Sequence, residues 1–397
     1  MSQKKRENLR IAMLGHKRIP SREGGIEVVV EELSTRMTSI GHSVTCYNRK
    51  GHHVSGATFD VESAKEYQGV KLKNVWTLDK KGLAAMTSSF SAATKAAFGR
   101  YDVVHFHAEG PCAMLWIPKM FGKRCVVTIH GLDHQRAKWG RFASWYIRTG
   151  EKCAAKFADD IIVLSENARQ YFLDTYNRET KFIPNGITHP EKIEADEITQ
   201  KYGLRKDEYV LYLGRIVPEK GIRYLINAFK SVHTEKKLVI AGGSSDSSEF
   251  DQEMRELAQG DDRIIFTGFV QGKTLDELYS NAYVYVLPSD VEGMPLSLLE
   301  AMSYGNCCLT SDIAECATVV GEHGVTFKKG NADDLRERLQ MLCDDEETVS
   351  ILKSSAADYV CEKYNWDDIT AKTLRLYGVN EAVAPTEEKE YEGAAYK

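Results

Sequence analysis

Residues 10–33, RIAMLGHKRIPSREGGIEVVVEEL, decide how the chain is read. The apolar run that ends at Gly15 reads as a strand. Beyond it, Ile26, Val29, Val30, Leu33, Met37 and Ile40 recur along one side of a helix over residues 26–40. Strand, loop and helix in that order open a nucleotide-binding α/β unit. The glycines do not suit a dinucleotide, because after Gly15 none follows until the pair Gly24 and Gly25. No strand in the chain is followed by G-x-G-x-x-G. Gly24 and Gly25 would open the helix instead, with bare amides and no Cβ atoms to keep an anion at a distance. Lys17, Arg18 and Arg22 make the approach electropositive, and the loop is long enough to fold over a bound ligand.

The alternation continues through SVTCYN, YDVVHFH, RCVVTIH and DIIVLS, then YVLYLG, KLVIAG, RIIFTG, YVYVLPS and NCCLTS. Such near-continuous apolar runs fit parallel strands covered on both faces. With 397 residues, too many for one ordinary core, the fold class is α/β, with two doubly wound Rossmann-like domains facing a cleft. A linker near residues 185–192 divides a domain at 1–187 from one at 188–364. The acidic tail, 383–397, lacks periodicity and is expected to be disordered.

Residues 1–187 hold 29 Lys+Arg against 18 Asp+Glu, or +11; the totals of 52 and 57 leave 23 against 39, or −16, for the rest. Either this is ordinary surface variation, or the basic half alone meets an anionic surface. No run approaches about 18 uninterrupted apolar residues, so no transmembrane helix is expected. MSQKKRENLR lacks the apolar region of a secretory signal. The nine cysteines form no CxxC and no zinc spacing, as expected of reduced thiols in a cytoplasmic protein.

Ligands of open parallel sheets bind beyond the carboxyl ends of the strands. YVLYLG ends at Gly214 and Arg215, and Lys220 follows five residues on, before an amphipathic helix. The two cations either make a metal-free anion site or belong to a solvated turn. After YVYVLPS comes DVEGMPLSLLEAMSYG, where Pro295 can start a helix with Glu292 in the preceding loop. Glu300 would then lie roughly 7 Å along the axis. Each Glu alone could merely complement the helix dipole; together they suit a nucleotide sugar, with hydroxyls on the carboxylates and a diphosphate on the amides and cations. CVVTIHGLD puts His130 at a strand end, as a packed residue or a ligand contact. His105 and His107 end another strand; His-x-His could suggest a metal, but no third ligand lies near. Residues 134–156 carry Arg136, Lys138, Arg141, Arg148, Lys152 and Lys156, with Trp139, Phe142, Trp145 and Tyr146 at helical spacing. That helix either buries its aromatics in its own domain or lies on a membrane surface.

IPNGI, GRIVPEKG and EGMPLSLLEAMSYG, in that order, resemble family 4 of the retaining glycosyltransferases with the GT-B fold, and the likeness covers nearly the whole chain. YNWDDITAKTLRLY is similar to the terminal helix, about 365–382 here, that returns to the N-terminal domain in that family. The resemblance implies transfer of a hexosyl group from a nucleotide-diphosphate sugar, UDP- or dTDP-linked, to a glycan or lipid-linked acceptor in surface polysaccharide or glycolipid assembly. It assigns Arg215 and Lys220 to the diphosphate, Glu292 to the donor sugar, Glu300 to the ribose and the Leu296 and Ser297 amides to phosphate or sugar. Gly24 and Gly25 join the donor site, Phe269 and Val270 read the base, and His130 faces sugar and phosphate. Lys17, Arg22, His107, Asp133 and Arg136 are placed on the acceptor side. It implies no metal, no cofactor and no nucleic acid. Many members have a second glycine after the first Glu, as in EGFG, whereas here Gly293 is followed by Met294 and Pro295. The basic domain would hold a peripheral enzyme at the inner leaflet. A nucleotide-sugar 2-epimerase shares the architecture but would need its own acid/base carboxylates. A non-catalytic nucleotide-sugar-binding protein is the other reading, against which the joint presence of His130, Arg215, Lys220, Glu292 and Glu300 weighs.

Overall fold

The computed structural model describes residues 8–50, 64–78, 80, 83–132, 140–243 and 248–379. Its first sheet contains β1 (Arg10–Leu14), β2 (Ser43–Arg49), β3 (Glu66–Tyr67), β4 (Val70–Val75), β5 (Val103–His107), β6 (Arg124–Ile129), β7 (Asp160–Val163) and β8 (Lys181–Phe182), in the order β3-β4-β2-β1-β5-β6-β7-β8. The second contains β9 (Tyr209–Leu213), β10 (Lys237–Ala241), β11 (Ile264–Gly268), β12 (Val284–Leu287), β13 (Cys307–Ser311) and β14 (Val325–Phe327), ordered β11-β10-β9-β12-β13-β14. Every pairing is parallel except β3 with β4.

All ten expected strands are present, and the two-domain doubly wound class holds. β4 escaped the sequence reading because its Lys71 and Lys73 interrupt the apolar run near a sheet margin. β8 and β14 have two and three residues. In each sheet one strand is joined by neighbours from opposite directions of the chain: β1 lies between β2 and β5, and β9 between β10 and β12. These are the switch points where parallel sheets open a crevice. The loops beyond them are 15–24, 108–110, 214–221 and 288–295.

The helices that frame those loops are α1 (Gly25–Ser39), α2 (Leu83–Phe98), α3 (Trp116–Met120), α4 (Arg141–Phe157), α5 (Glu166–Tyr176), α6 (Glu197–Tyr202), α7 (Ile222–Lys230), α8 (Ser248–Ala258), α9 (Lys273–Asn281), α10 (Leu296–Ser303), α11 (Ala314–Val320), α12 (Ala332–Asp344), α13 (Glu346–Lys363) and α14 (Trp366–Leu376). Asn365 starts α14 by accepting from the amides of Asp367 and Asp368. That helix buries Trp366, Ile369 and Leu374 with Val29, Val30, Leu33 and Met37 of α1, so the last described helix packs on the first domain. Its crossing runs beside the first one: the Ile187 amide donates to the Tyr364 carbonyl at 2.7 Å, and Ile187 bridges Asn365. The expected tail, 383–397, lies outside the described residues. No helix among the described residues is long and apolar enough to cross a membrane, and all nine cysteines are unpaired.

Candidate functional site

In the second sheet, β9 delivers Arg215 and the short turn Pro218–Lys220 delivers Lys220, both half-buried. The Lys220 ammonium donates to Glu292 Oε1 at 2.5 Å, and the Ser289 hydroxyl donates to the same oxygen at 2.6 Å. Glu292 is therefore positioned from two sides before any substrate arrives. Pro295 is the N-cap of α10 rather than its first residue, and no side chain caps that helix. Glu300 sits on its second turn and accepts from the Tyr279 hydroxyl at 3.0 Å. Burial raises the Glu300 carboxyl above its ordinary value, against the opposing charge of Arg22 and the Tyr279 hydrogen bond. Phe269 and Val270 follow β11, two strands from β9, and are half-buried.

From the first sheet, α1 begins at Gly25 with Gly24 extended before it, again without a side-chain cap. A Cβ on Gly25 would stand 3.2 Å from Leu296 Cδ1, the first residue of α10. Two uncapped helix N-termini, one from each domain, thus meet across the cleft, and both favour negative charge. Nearby, a Cβ on Gly293 would fall 1.8 Å from the His130 carbonyl oxygen, so only glycine lets these backbones touch. Asn185, within the IPNGI stretch, fixes the same loop by donating its Nδ2 to the Met294 carbonyl at 3.1 Å.

The wall behind His130 is made of histidines. His130 Nε2 and His107 Nδ1 share a 3.0 Å hydrogen bond. His105 bonds Tyr377 Oη at 2.5 Å and Thr128 Oγ1 at 2.8 Å, which leaves neither ring nitrogen for a metal. His16 reaches Asn48 Oδ1 at 3.1 Å. Burial pushes His105 down to about 3 and His16 down to about 4, and it holds His107 well below its ordinary value with help from neighbouring histidines. The wall is accordingly neutral at physiological pH.

The placement of His107 on the acceptor side is corrected: it is wholly buried behind His130 and reaches the cleft only through that ring. Arg22 lies 4.0 Å from Glu31. Although burial lowers its pKa, Glu31, Glu300 and Glu32 together raise it further, so Arg22 stands within electrostatic reach of Glu300. The Lys17 segment is tied down: its amide donates to Glu27 Oε1 at 2.8 Å and its carbonyl accepts from the Arg49 amide at 2.6 Å. Hence the opening loop is anchored on α1 and β2. Asp133 and Arg136 lie outside the described residues. The sequence reading passed over Asn185, Tyr279 and His16, although Asn185 stands in a quoted motif and His16 directly follows the first strand.

A cavity of about 450 Å³ opens between residues 131–132 and the start of α5 on one side and the loops after β12 and β13 on the other. A recess of about 580 Å³ around residues 230–235 lies at the opposite, amino ends of β10 and β11, and its Arg263 is already occupied by Asp261 and backbone carbonyls.

Two uncapped helix ends, two cations and two carboxylates at facing switch points define a site for an anionic, hydroxyl-bearing ligand in a GT-B architecture. Residues 23–189 match the family described as Glycosyltransferase Family 4, and residues 194–359 match Glycosyl transferases group 1. The chain belongs to this glycosyltransferase family. An uncharacterised glycosyltransferase of Methanocaldococcus jannaschii is 24% identical over 94% of this chain and 98% of its own length. The Campylobacter jejuni N,N'-diacetylbacillosaminyl-diphospho-undecaprenol alpha-1,3-N-acetylgalactosaminyltransferase is 26% identical over 57% of this chain and 62% of its own. Among solved structures, Anabaena HepE in complex with UDP and glucose superposes with a TM-score of 0.77 at 16% identity, over 93% of this chain and 99% of that one.

Proposed function

We propose that this glycosyltransferase moves a hexosyl group, with retention of anomeric configuration, from a UDP- or dTDP-sugar to a glycan or lipid-linked acceptor in surface polysaccharide or glycolipid assembly. The observation that carries the donor reading is the meeting of the α1 and α10 N-termini at Gly25 and Leu296, in the cleft that also holds Arg215 and Lys220. As the bond to the anomeric carbon breaks, charge develops on the diphosphate, and these groups are fixed in advance to receive it. Glu300 takes the ribose hydroxyls, Glu292 and His130 face the sugar, and the base lies toward Phe269 and Val270. The relatives named for UDP and for a diphospho-undecaprenol acceptor support the same reading.

Glu292 is engaged by Lys220 and Ser289, which suits a same-face substitution in which a leaving-phosphate oxygen takes the acceptor proton. The reaction needs no metal in this scheme, because two cations and two helix ends do a metal's electrostatic work; turnover is expected to persist in excess EDTA. Donor hydrolysis and transfer, measured across UDP-, dTDP-, GDP- and ADP-sugars, test the assignment. NMR of the product's anomeric proton tests retention, and a trapped sugar ester on a carboxylate would overturn the same-face route.

The proposed location is the inner membrane face. Phe142 and Trp145 of α4 are each 61% exposed, beside exposed Arg141, Arg148 and Lys152, while Ile147, Gly150 and Ala154 on the opposite side are buried. Aromatic side chains left in solvent next to cations favour an anionic bilayer surface over burial within the domain.

A further inference from the structure

A cation withdrawn from water is expected to have a partner, because nothing else is left to solvate it. Arg49, the last residue of β2, departs from that rule. It is half-buried, its Nε is sealed from water with no hydrogen-bond partner, and among the described residues it makes no ion pair. Its amide donates to the Lys17 carbonyl at 2.6 Å, so the backbone that carries the side chain is fixed. Glu27 stands within electrostatic reach, but its Oε1 is taken by the Lys17 amide at 2.8 Å. Burial lowers the Arg49 pKa from its ordinary value, opposed by Glu27 and Tyr146. An arginine stays protonated through such a shift, so a charged guanidinium is held here without a counter-ion in contact.

Two more polar atoms without partners stand around it. Tyr146, on α4, packs against the loop after β5: a Cβ on Gly110 would lie 3.6 Å from its Cε1. The Tyr146 hydroxyl is buried and unbonded, and burial pushes its pKa up to about 12, so it remains a donor. His16 follows β1, the strand between β2 and β5. Asn48 Oδ1 accepts from the Ile19 amide at 3.3 Å and Asn48 Nδ2 donates to the Ile19 carbonyl at 3.0 Å, which orients that amide. The His16 Nε2 bonded to the same Oδ1 therefore carries the proton. His16 Nδ1 is left as a lone pair, buried and without a partner. Arg49 lies within electrostatic reach of both His16 and Tyr146. Buried polar atoms left unmade are costly, and three of them around one place call for a ligand. A guanidinium, a phenolic donor and an imidazole lone pair together match a phosphoryl group. Its anionic oxygens accept from Arg49 and Tyr146, while its own or a neighbouring hydroxyl donates to His16.

We propose that Arg49, Tyr146 and His16 form a phosphoryl-binding site at the switch point of the first sheet, separate from Arg215 and Lys220 at the second. The site stands on these three residues; only an assignment of its phosphoryl group to the acceptor rests on the proposed reaction. Phosphate esters and free phosphate share the chemistry, and the test separates them.

The full chain is first titrated with UDP and then, with UDP saturating, with inorganic phosphate, glucose 6-phosphate and farnesyl phosphate by calorimetry. Glucose and farnesol are the uncharged controls. At least one phosphorylated probe should bind the wild type, and neither control should match it. Arg49→Gln should weaken that probe about tenfold to a hundredfold, the usual worth of a charge-assisted hydrogen bond. Tyr146→Phe should weaken it about fivefold, and UDP affinity should be unchanged in both variants. Tyr146→Phe also answers if Arg49→Gln fails to fold. Without phosphate it should resist urea as well as the wild type, since the hydroxyl it removes is unpaired, and added phosphate should protect it less. Tighter binding of an ester than of inorganic phosphate assigns the group to the acceptor; equal binding assigns it to free phosphate, and the site stands in both cases. Equal affinity of Arg49→Gln and wild type for every phosphorylated probe, or no such probe bound at all, would overturn the site. A parallel loss of UDP affinity in Arg49→Gln would assign Arg49 to the donor diphosphate, which also overturns it. Failure of UDP to bind would overturn the donor reading, even if phosphate bound and Arg49→Gln released it.

Discussion

The two sheets meet at the cleft with opposite chemistry. Strands of the first end in His105, His107 and His130, with His16 just beyond β1, and burial strips the charge from three of these rings. Strands of the second lead to Arg215, Lys220 and Glu292, with Glu300 on the helix that follows, and there the polar groups are partnered: Lys220 holds Glu292, and Tyr279 holds Glu300. One wall is neutral and hydrogen-bonded within itself; the other gathers the cations and carboxylates. The difference teaches that the two sides of one cleft can divide their labour, the histidine wall supplying shape and the loops of the second sheet most of the charged side chains.

Acid is expected to break the neutral wall first. The folded pKa of each buried histidine is depressed, so the unfolded chain takes up protons near pH 6.5 that the folded chain refuses. Stability is complete above that value and is lost as pH falls from about 6.5 toward about 4 and 3, by up to ~1.4 kcal/mol per pH unit for each histidine. Urea midpoints at pH 7.5 and 5.5 check this, and a His105→Gln variant should show a flatter dependence. Equal midpoints would mean that the wall is not neutral after all.

The charged wall should answer in rate rather than stability. Lys220→Ala is expected to lower kcat roughly 10²–10³-fold, the usual cost of removing one preorganised charge partner, with the far-ultraviolet circular dichroism unchanged. Glu300→Gln should act more mildly, raising the donor KM about tenfold with little change in kcat, because ribose contacts are made equally in the ground and transition states. Smallest is the effect of Phe142→Ser with Trp145→Ser: sedimentation with anionic vesicles should fall several-fold at low salt while transfer to a soluble acceptor is unaffected. If those two changes reduced transfer to a soluble acceptor instead, α4 would belong to the cleft.

How much of this could be read from residues alone follows from distance along the chain. Parallel strands shielded on both faces appear as unbroken apolar runs, so ten of them were visible, whereas the lysines of β4 concealed it. Arg215, Lys220 and Glu292 stood out because each follows a strand end within seven residues, and Glu300 because it sits in the helix that opens just after Glu292. What those side chains do to one another was hidden: Lys220 and Glu292 are 72 residues apart, and His105 and Tyr377 are 272 apart. The burial of His107 was half-visible, since it shares a face of β5 with His105, but the ring that covers it comes from another strand.

The paired crossings at Ile187 and Asn365 carry one more consequence. A single connecting thread would let two bodies swivel, tilt and slide. Here two threads run side by side and are stitched together by the Ile187–Tyr364 hydrogen bond, with Trp366 pressed against Gly186. Such a joint behaves as a door hinge rather than a leash, leaving roughly one easy rotation. The Gly25–Leu296 and His130–Gly293 contacts between the two domains act as its strike plate.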